Sequence, residues 1–127
     1  MKQLLAAGGA VALMLFAAPA SAQDMGAKPE GHAMTITGTV VDISCKFSFG
    51  LTGDGHRMCA QVCADQGVPL AILGSDGKLY IPTSTAMPGG DQNGRLKEFA
   101  EQSVRVSGTV YEAGGARAIQ IESVRRS

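Results

Sequence analysis

Residues 103–125, SVRVSGTVYEAGGARAIQIESVR, constrain the fold of this chain more than any other segment. Apolar side chains alternate at Val104, Val106 and Val110, and they return at Ile119 after a Gly-Gly pair. Alternation with a period of two is typical of strands with one buried face, and adjacent glycines favour a turn. The segment therefore predicts a β-hairpin.

The rest of the chain adds three strands and two short helices. MTITGTVVDISC, residues 34–45, is rich in Thr, Val and Ile and predicts a strand. Its apolar phase shifts by one position near residues 40–41, which indicates a bulge or bend. Residues 68–84 predict a second hairpin around the turn cluster GSDG. Helices are expected at 56–66 and 95–102, because each is a short amphipathic segment flanked by turn residues.

This order of elements predicts a mostly β fold, a five-stranded OB-like barrel with two short helices. The segments ITGTVVDI and VRVSGTVYE resemble the G-T-V strands of exported bacterial OB-fold domains. The intervening HRMCAQVC is similar to an H-x-x-C-A-x-x-C segment of small exported bacterial proteins of undefined function. The resemblance implies the barrel and attaches no activity to it. The expected core positions are Ile36, Val40, Leu70, Ile72, Leu79, Ile81, Val104, Val106, Val110, Ile119 and Ile121.

The N-terminal segment predicts export. Residues 1–22 contain Lys2, then an apolar run, then an Ala-Ser-Ala cleavage site, which is the layout of a signal peptide. The apolar run is short for a membrane span, so no span is expected after cleavage. Residues 23–33 lack a hydrophobic period and predict a flexible leader, and 34–127 form the barrel domain. The expected location is periplasmic or secreted.

Charge and composition argue against a nucleic-acid partner. The chain has 11 Lys and Arg against 11 Asp and Glu, so its formal net charge is zero. Binding to a polyanion depends on excess positive charge, and single-stranded nucleic acid also needs aromatic stacking platforms. Aromatic residues are only 5% of this chain, and tryptophan is absent.

The three cysteines and one histidine predict a metal site. Cys59 and Cys63 lie one helical turn apart on one face, and Cys45 ends the first strand before the loop that leads to them. His56 precedes Cys59 by three residues, but it lies ~10.5 Å along a regular helix from Cys63 and must fold back to reach the same ion. Three thiolates and one imidazole suit Zn²⁺, and thiolates also suit Cu(I).

The C-x-x-x-C spacing is similar to the copper sites of Sco-type assembly proteins. In those proteins the histidine follows the cysteines, whereas here His56 precedes them, so only the ligand chemistry carries over. Two alternatives remain open. The oxidising compartment of an exported protein favours disulfides, so Cys45 could pair with Cys59 or Cys63 and leave one free thiol. The nearby histidine also allows a redox or nucleophilic thiol.

The sequence thus predicts an exported, small metal-binding protein that uses copper or zinc. Its predicted metal ligands are Cys45, His56, Cys59 and Cys63, and no catalytic residue is predicted. A carrier or chaperone is favoured over an enzyme, with a metal ion and another exported protein as partners. The alternative functions are a disulfide-stabilised OB-like module that binds a protein or small ligand, and a thiol redox protein.

Overall fold

The computed structural model describes residues 26–127, so the predicted signal peptide at 1–22 lies outside the described residues. The strands in chain order are β1 (Gly31–Asp42), β2 (Leu70–Gly74), β3 (Leu79–Pro82), β4 (Ser103–Ala113) and β5 (Ala116–Arg126). The α-helices are α1 (Ile43–Phe49), α2 (Arg57–Asp65) and α3 (Asn93–Leu96). Single 3-10 turns precede α2 (Asp54–His56) and follow α3 (Lys97–Phe99).

The five strands form a closed barrel in the order β1-β2-β3-β5-β4, with β4 paired back to β1. Neighbouring strands are antiparallel except β3 and β5, which run parallel. Each strand pairs with a neighbour on both sides over part of its length. The prediction of a mostly β, five-stranded barrel is confirmed, and the strand order is compatible with an OB-like fold.

Strand β1 changes partners at residues 38–39, just before positions 40–41, where the sequence predicted a bulge or bend. Residues 31–39 pair with β4, and residues 38–42 pair with β2. Gly38 belongs to both ladders, and a Cβ at this position would collide with the Leu73 carbonyl. Glycine is therefore required where the two neighbouring strands crowd β1. The register shift of the sheet is elsewhere, between Ser107 and Gly108 against β5.

The barrel core matches the predicted positions except in β3. Leu79 is half-buried and Ile81 is 38% exposed, whereas Tyr80 between them is 2% exposed. Leu79, Tyr80 and Ile81 are consecutive apolar residues whose side chains point to alternate faces of the strand. Alternation alone therefore could not indicate which face is buried. Tyr80 faces the core opposite Ile72, and its hydroxyl donates a hydrogen bond to Asp76 at the hairpin turn. A buried tyrosine needs such a partner.

The segment after β1 is a third short helix, where the sequence predicted strand followed by loop. The prediction was wrong because Ile, Cys and Phe favour strands locally, whereas the caps at both ends favour a helix. The Asp42 carboxylate accepts a hydrogen bond from the Cys45 N–H, and Gly50 ends the helix with φ of 68°. Strand β1 also begins at Gly31, inside the predicted leader. Cys45 therefore lies in the first turn of α1, beside Asp42.

The described part of the chain, residues 26–127, contains no helix with the length and apolarity needed to cross a membrane.

Candidate metal centre

Helix α2 presents two thiols beside the barrel. Ala60 and Ala64 are its buried residues and face inward, so Cys59 and Cys63, one turn apart, lie toward the flank. Cys59 is exposed and Cys63 is half-buried. The end of α2 is fixed by Asn93, whose side-chain amide donates to the carbonyl of Ala64 and accepts from β2. The position of the two thiols is thus tied to the barrel wall.

The three cysteine sulfurs converge. The Sγ atoms of Cys45, Cys59 and Cys63 all lie within 4.8 Å of one another. Two Zn–S bonds of about 2.3 Å can span at most ~4.6 Å between sulfurs, so small side-chain movements would allow one ion to contact all three. Each of the three thiols is free, and none forms a disulfide in the described chain. We name this set the thiol trio.

A second set of donor atoms shares Cys45. One ligand atom each of Asp42, Cys45 and His56 lies within 4.8 Å of the other two. Asp42 is 0% exposed and His56 is 7% exposed. Folding therefore brings His56 close to Cys45, but in a group with Asp42 rather than with the two cysteines of α2. We name this set the inner group.

The orientation of the His56 ring is fixed by Glu101. Nδ1 of His56 lies 2.9 Å from Oε1 of Glu101, whose side chain is fully buried. The other carboxylate oxygen accepts hydrogen bonds from the Gly53 N–H and the Thr52 hydroxyl. Because a carboxylate accepts hydrogen bonds, Nδ1 carries the proton, and Nε2 of a neutral ring keeps its lone pair. A carboxylate on the far nitrogen commonly orients metal-binding histidines.

Two buried polar atoms of the inner group lack partners. Nε2 of His56 and Oδ2 of Asp42 make no hydrogen bond within the part of the chain that the structure describes. Nearly all buried polar side-chain atoms in proteins have a partner, and leaving one without costs about 1–3 kcal/mol. Both residues belong to the group that also contains Cys45. A cation bound between them would satisfy both lone pairs.

The surroundings of Cys45 and Cys63 raise the pKa of both thiols. The neighbouring Asp42 carboxylate, and then burial, raise the pKa of Cys63 to about 12. Burial, and then Asp42, raise the pKa of Cys45. Burial also opposes ionisation of Asp42, but the Cys45 N–H and the nearby thiols outweigh it and lower the pKa of that carboxyl. A nucleophilic or redox thiol needs a lowered pKa, so these shifts disfavour that alternative for Cys45 and Cys63.

Two residues of the site, Asp42 and Glu101, were not predicted from the sequence. Asp42 could have been found, because it stands eight positions before Gly50 in the arrangement of a helix cap and a helix stop. Glu101 gives no local signal. It lies in the connection between the 3-10 turn after α3 and β4, with φ of 59°, and only tertiary folding brings it to His56.

The other histidine lies apart from these donor groups. His32 and Met34 line a pocket of about 470 Å³ together with Glu30, Val110 and Glu112. None of the residues lining this pocket belongs to the thiol trio or the inner group. His32 therefore offers a matched control for experiments on His56.

Helices α1 and α2, which carry the three cysteines, also carry exposed apolar side chains. Phe47 and Phe49 of α1 are 66% and 74% exposed, and Met58 and Val62 of α2 are also exposed. In α2, Met58 and Val62 directly precede Cys59 and Cys63 in the sequence.

No protein-family model matches the chain, and neither the curated proteins nor the solved structures contain a significant match to it.

Proposed function

We propose that this protein binds a soft or borderline metal ion, Cu(I) or Zn²⁺, through the thiolates of Cys45, Cys59 and Cys63. The observation that carries the proposal is the convergence of three free sulfurs within 4.8 Å. Soft thiolates select Cu(I) and Zn²⁺ among common biological cations. On binding, the metal replaces the thiol protons, which pass to solvent.

We further propose that the ion is carried rather than held for structure or catalysis. Structural zinc sites are closed and four-coordinate, whereas the trio offers three sulfurs, one of them on the exposed Cys59. A ligand from another protein can approach through this open side and exchange for Cys59. Exposed apolar side chains on α1 and α2 fit contact with a protein partner. The export signal predicted from the sequence supports a periplasmic or secreted location for this exchange.

The experiment compares metal affinity between two variants of one helix. Reduced, metal-free protein is titrated with Cu(I) and, separately, Zn²⁺ against a chromophoric chelator. Cys59→Ser should weaken binding by about 100-fold or more, since it removes a ligand atom outright. Val62→Ser, which changes an exposed residue of the same helix, should leave the affinity unchanged.

Two outcomes would overturn the proposal. Equal affinity in the wild type and in Cys59→Ser would exclude the trio as the site. A preparation with one reactive thiol, no bound metal and no metal uptake after reduction would instead support the disulfide-stabilised module. A thiol count before and after reduction separates these cases.

A further inference from the structure

We infer that the inner group is a second metal position, distinct from the thiol trio and occupied together with it. Its donors are the Asp42 carboxylate, the Cys45 thiolate and the His56 imidazole, which lie within 4.8 Å of one another. The inference deepens the proposed function and rests on it in one respect, because Cys45 belongs to both positions.

The inner group has the features of a prepared site. Asp42 and His56 are both more than nine-tenths buried, and each has one side-chain polar atom without a hydrogen-bond partner among residues 26–127. Glu101 holds the far nitrogen of His56, so the ring keeps its orientation whether or not an ion is bound. Oδ1 of Asp42 accepts the helix-capping hydrogen bond, which leaves Oδ2 for a ligand.

The donor types indicate which ion each position takes. One oxygen, one nitrogen and one sulfur form a mixed set that suits Zn²⁺, which accepts all three. The same set is poor for Cu(I), which prefers soft ligands. The inner position is therefore a divalent zinc-class site, whereas the outer trio accepts either Zn²⁺ or Cu(I).

Charge favours simultaneous occupancy. The two positions together contain three thiolates and one carboxylate once loaded, so the ligands have four formal negative charges. A single Zn²⁺ would leave half of that charge uncompensated in a partly buried cluster, which is costly. Two Zn²⁺ ions that share the Cys45 thiolate as a bridge balance it.

The experiment counts Zn²⁺ ions per chain on reduced full-length mature protein, by metal analysis after gel filtration. The wild type should bind two ions. His56→Ala should bind one, because the inner position is lost and the trio remains. Cys59→Ser should also bind one, at the inner position, and Cys45→Ser should retain neither tightly. His32→Ala, the matched histidine control, should bind two.

A wild-type stoichiometry of one, with an unchanged count in His56→Ala, would overturn the inner position and leave the trio standing. Conversely, loss of one ion in His56→Ala with no effect of Cys59→Ser or Cys63→Ser would refute the trio and retain the inner position. The two hypotheses therefore fail separately.

Two measurements guard against a variant that simply fails to fold. Asp42→Asn keeps a side-chain oxygen for the helix cap but removes the charge, so it should lower the affinity for the second ion while α1 persists. In addition, wild-type protein loaded with ¹¹³Cd²⁺ should show two cadmium resonances, one of them coupled to an imidazole nitrogen. A single resonance at saturation would contradict the inference.

Discussion

His56 and Glu101 are joined by a hydrogen bond of 2.9 Å between Nδ1 and Oε1, although 45 positions separate them in the chain. Glu101 is itself anchored to the barrel, because its backbone N–H donates to the Val40 carbonyl at 2.8 Å. Its second carboxylate oxygen holds the Gly53 N–H in the loop before α2. One buried carboxylate thus connects the barrel wall, the loop and the imidazole of the inner group.

Glu101→Gln tests this connection. The amide oxygen can still accept the hydrogen bond from Nδ1 of His56, but the amide nitrogen cannot accept the one from the Gly53 N–H, so some stability should also be lost. The imidazole loses the nearby charge that makes it a stronger ligand. We expect the affinity for the second Zn²⁺ to fall by about 10-fold, within the range known for such outer partners. The first Zn²⁺, at the trio, should bind with unchanged affinity.

The control is Glu98→Gln, which makes the same change on an exposed neighbour. Competition titration resolves the two binding steps, and Co²⁺ absorption spectra report the ligand field of each. An equal loss at both steps, or in both variants, would show that Glu101 acts only on general stability.

Single Cys→Ser variants separate a metal site from a disulfide. If the cysteines are ligands, each replacement weakens binding strongly, and Cys45→Ser has the largest effect because both positions use it. Binding should also weaken as the pH falls, since the thiolates must be deprotonated. His56→Ala should leave the affinity of the thiol trio nearly unchanged, whereas each cysteine variant should weaken it.

A disulfide would give a different pattern across the same three variants. Two of them would lose about 2–5 kcal/mol of unfolding free energy, and the third would be nearly silent. Urea unfolding of oxidised and reduced protein, measured beside the metal titrations, distinguishes the patterns.

The barrel was predictable because the alternation of apolar and polar residues within a strand shows which face is buried. Val104, Val106 and Val110 alternate, and each is buried as expected. The failure in β3 has the same origin, since Leu79, Tyr80 and Ile81 are all apolar and leave the phase undetermined. Helix α1 was not predicted because its residues have a high strand propensity. The capping residues at its two ends, rather than these side chains, determine the helix.

The site was predictable only in part. Spacing brought Cys59 and Cys63 to one face of a helix, and Cys45 was placed near them by chain order. The division into two donor groups depends on Asp42, which the helix-cap arrangement could have indicated, and the orientation of His56 depends on Glu101, whose contacts join positions far apart in the chain. No periodicity or motif encodes such contacts, so they required the folded structure.

Val106→Asp tests the barrel core. Val106 is fully buried, so the variant would place an unpaired carboxylate among apolar side chains. We expect loss of cooperative folding, seen as loss of the thermal unfolding transition by circular dichroism. Arg105→Asp introduces the same residue one position earlier, on the exposed face, and should fold. A normal melting temperature for Val106→Asp would show that the inner face of β4 is wrongly assigned.

Tyr80→Phe tests the hydrogen bond at the β2–β3 turn. The Tyr80 hydroxyl donates to Asp76 at 2.7 Å and lowers the pKa of that carboxyl below its ordinary value of 3.8. A lowered folded pKa stabilises the fold above the unfolded pKa, and the benefit disappears as the pH falls through the folded value. The variant should be less stable than the wild type at pH 7, and the difference should narrow below about pH 4.

Urea unfolding at a series of pH values checks this dependence. Tyr111→Phe is the control, because the Tyr111 hydroxyl donates to the uncharged Gln120 side chain at 3.1 Å. Its stability loss should not change across the same pH range. A difference for Tyr80→Phe that stays constant from pH 7 to pH 2 would contradict the assigned role of Asp76.

Asn93→Ala tests whether the metal site depends on how α2 is held. The Asn93 amide donates to the carbonyls of Ala64 and Val68 at 3.0 and 2.9 Å, and its oxygen accepts from the Leu70 N–H at 3.0 Å. Alanine would remove this partner from the Val68 carbonyl and the Leu70 N–H, whereas the Ala64 carbonyl would keep its hydrogen bond from the Gly67 N–H. We expect a loss on the order of 3 kcal/mol in unfolding free energy, because each buried unsatisfied group costs about 1–3 kcal/mol.

The same substitution should weaken Zn²⁺ binding, since α2 carries Cys59 and Cys63 and loses its tie to β2. Saturating Zn²⁺ should in turn recover part of the lost melting temperature, because an ion that binds only the folded state stabilises it by mass action. Gln92→Ala, one position earlier, removes only local contacts with Gly90 and Asp91 and should change neither quantity appreciably. If Asn93→Ala were destabilised but bound Zn²⁺ as tightly as the wild type, the two thiols of α2 would not need the anchored helix to hold the ion.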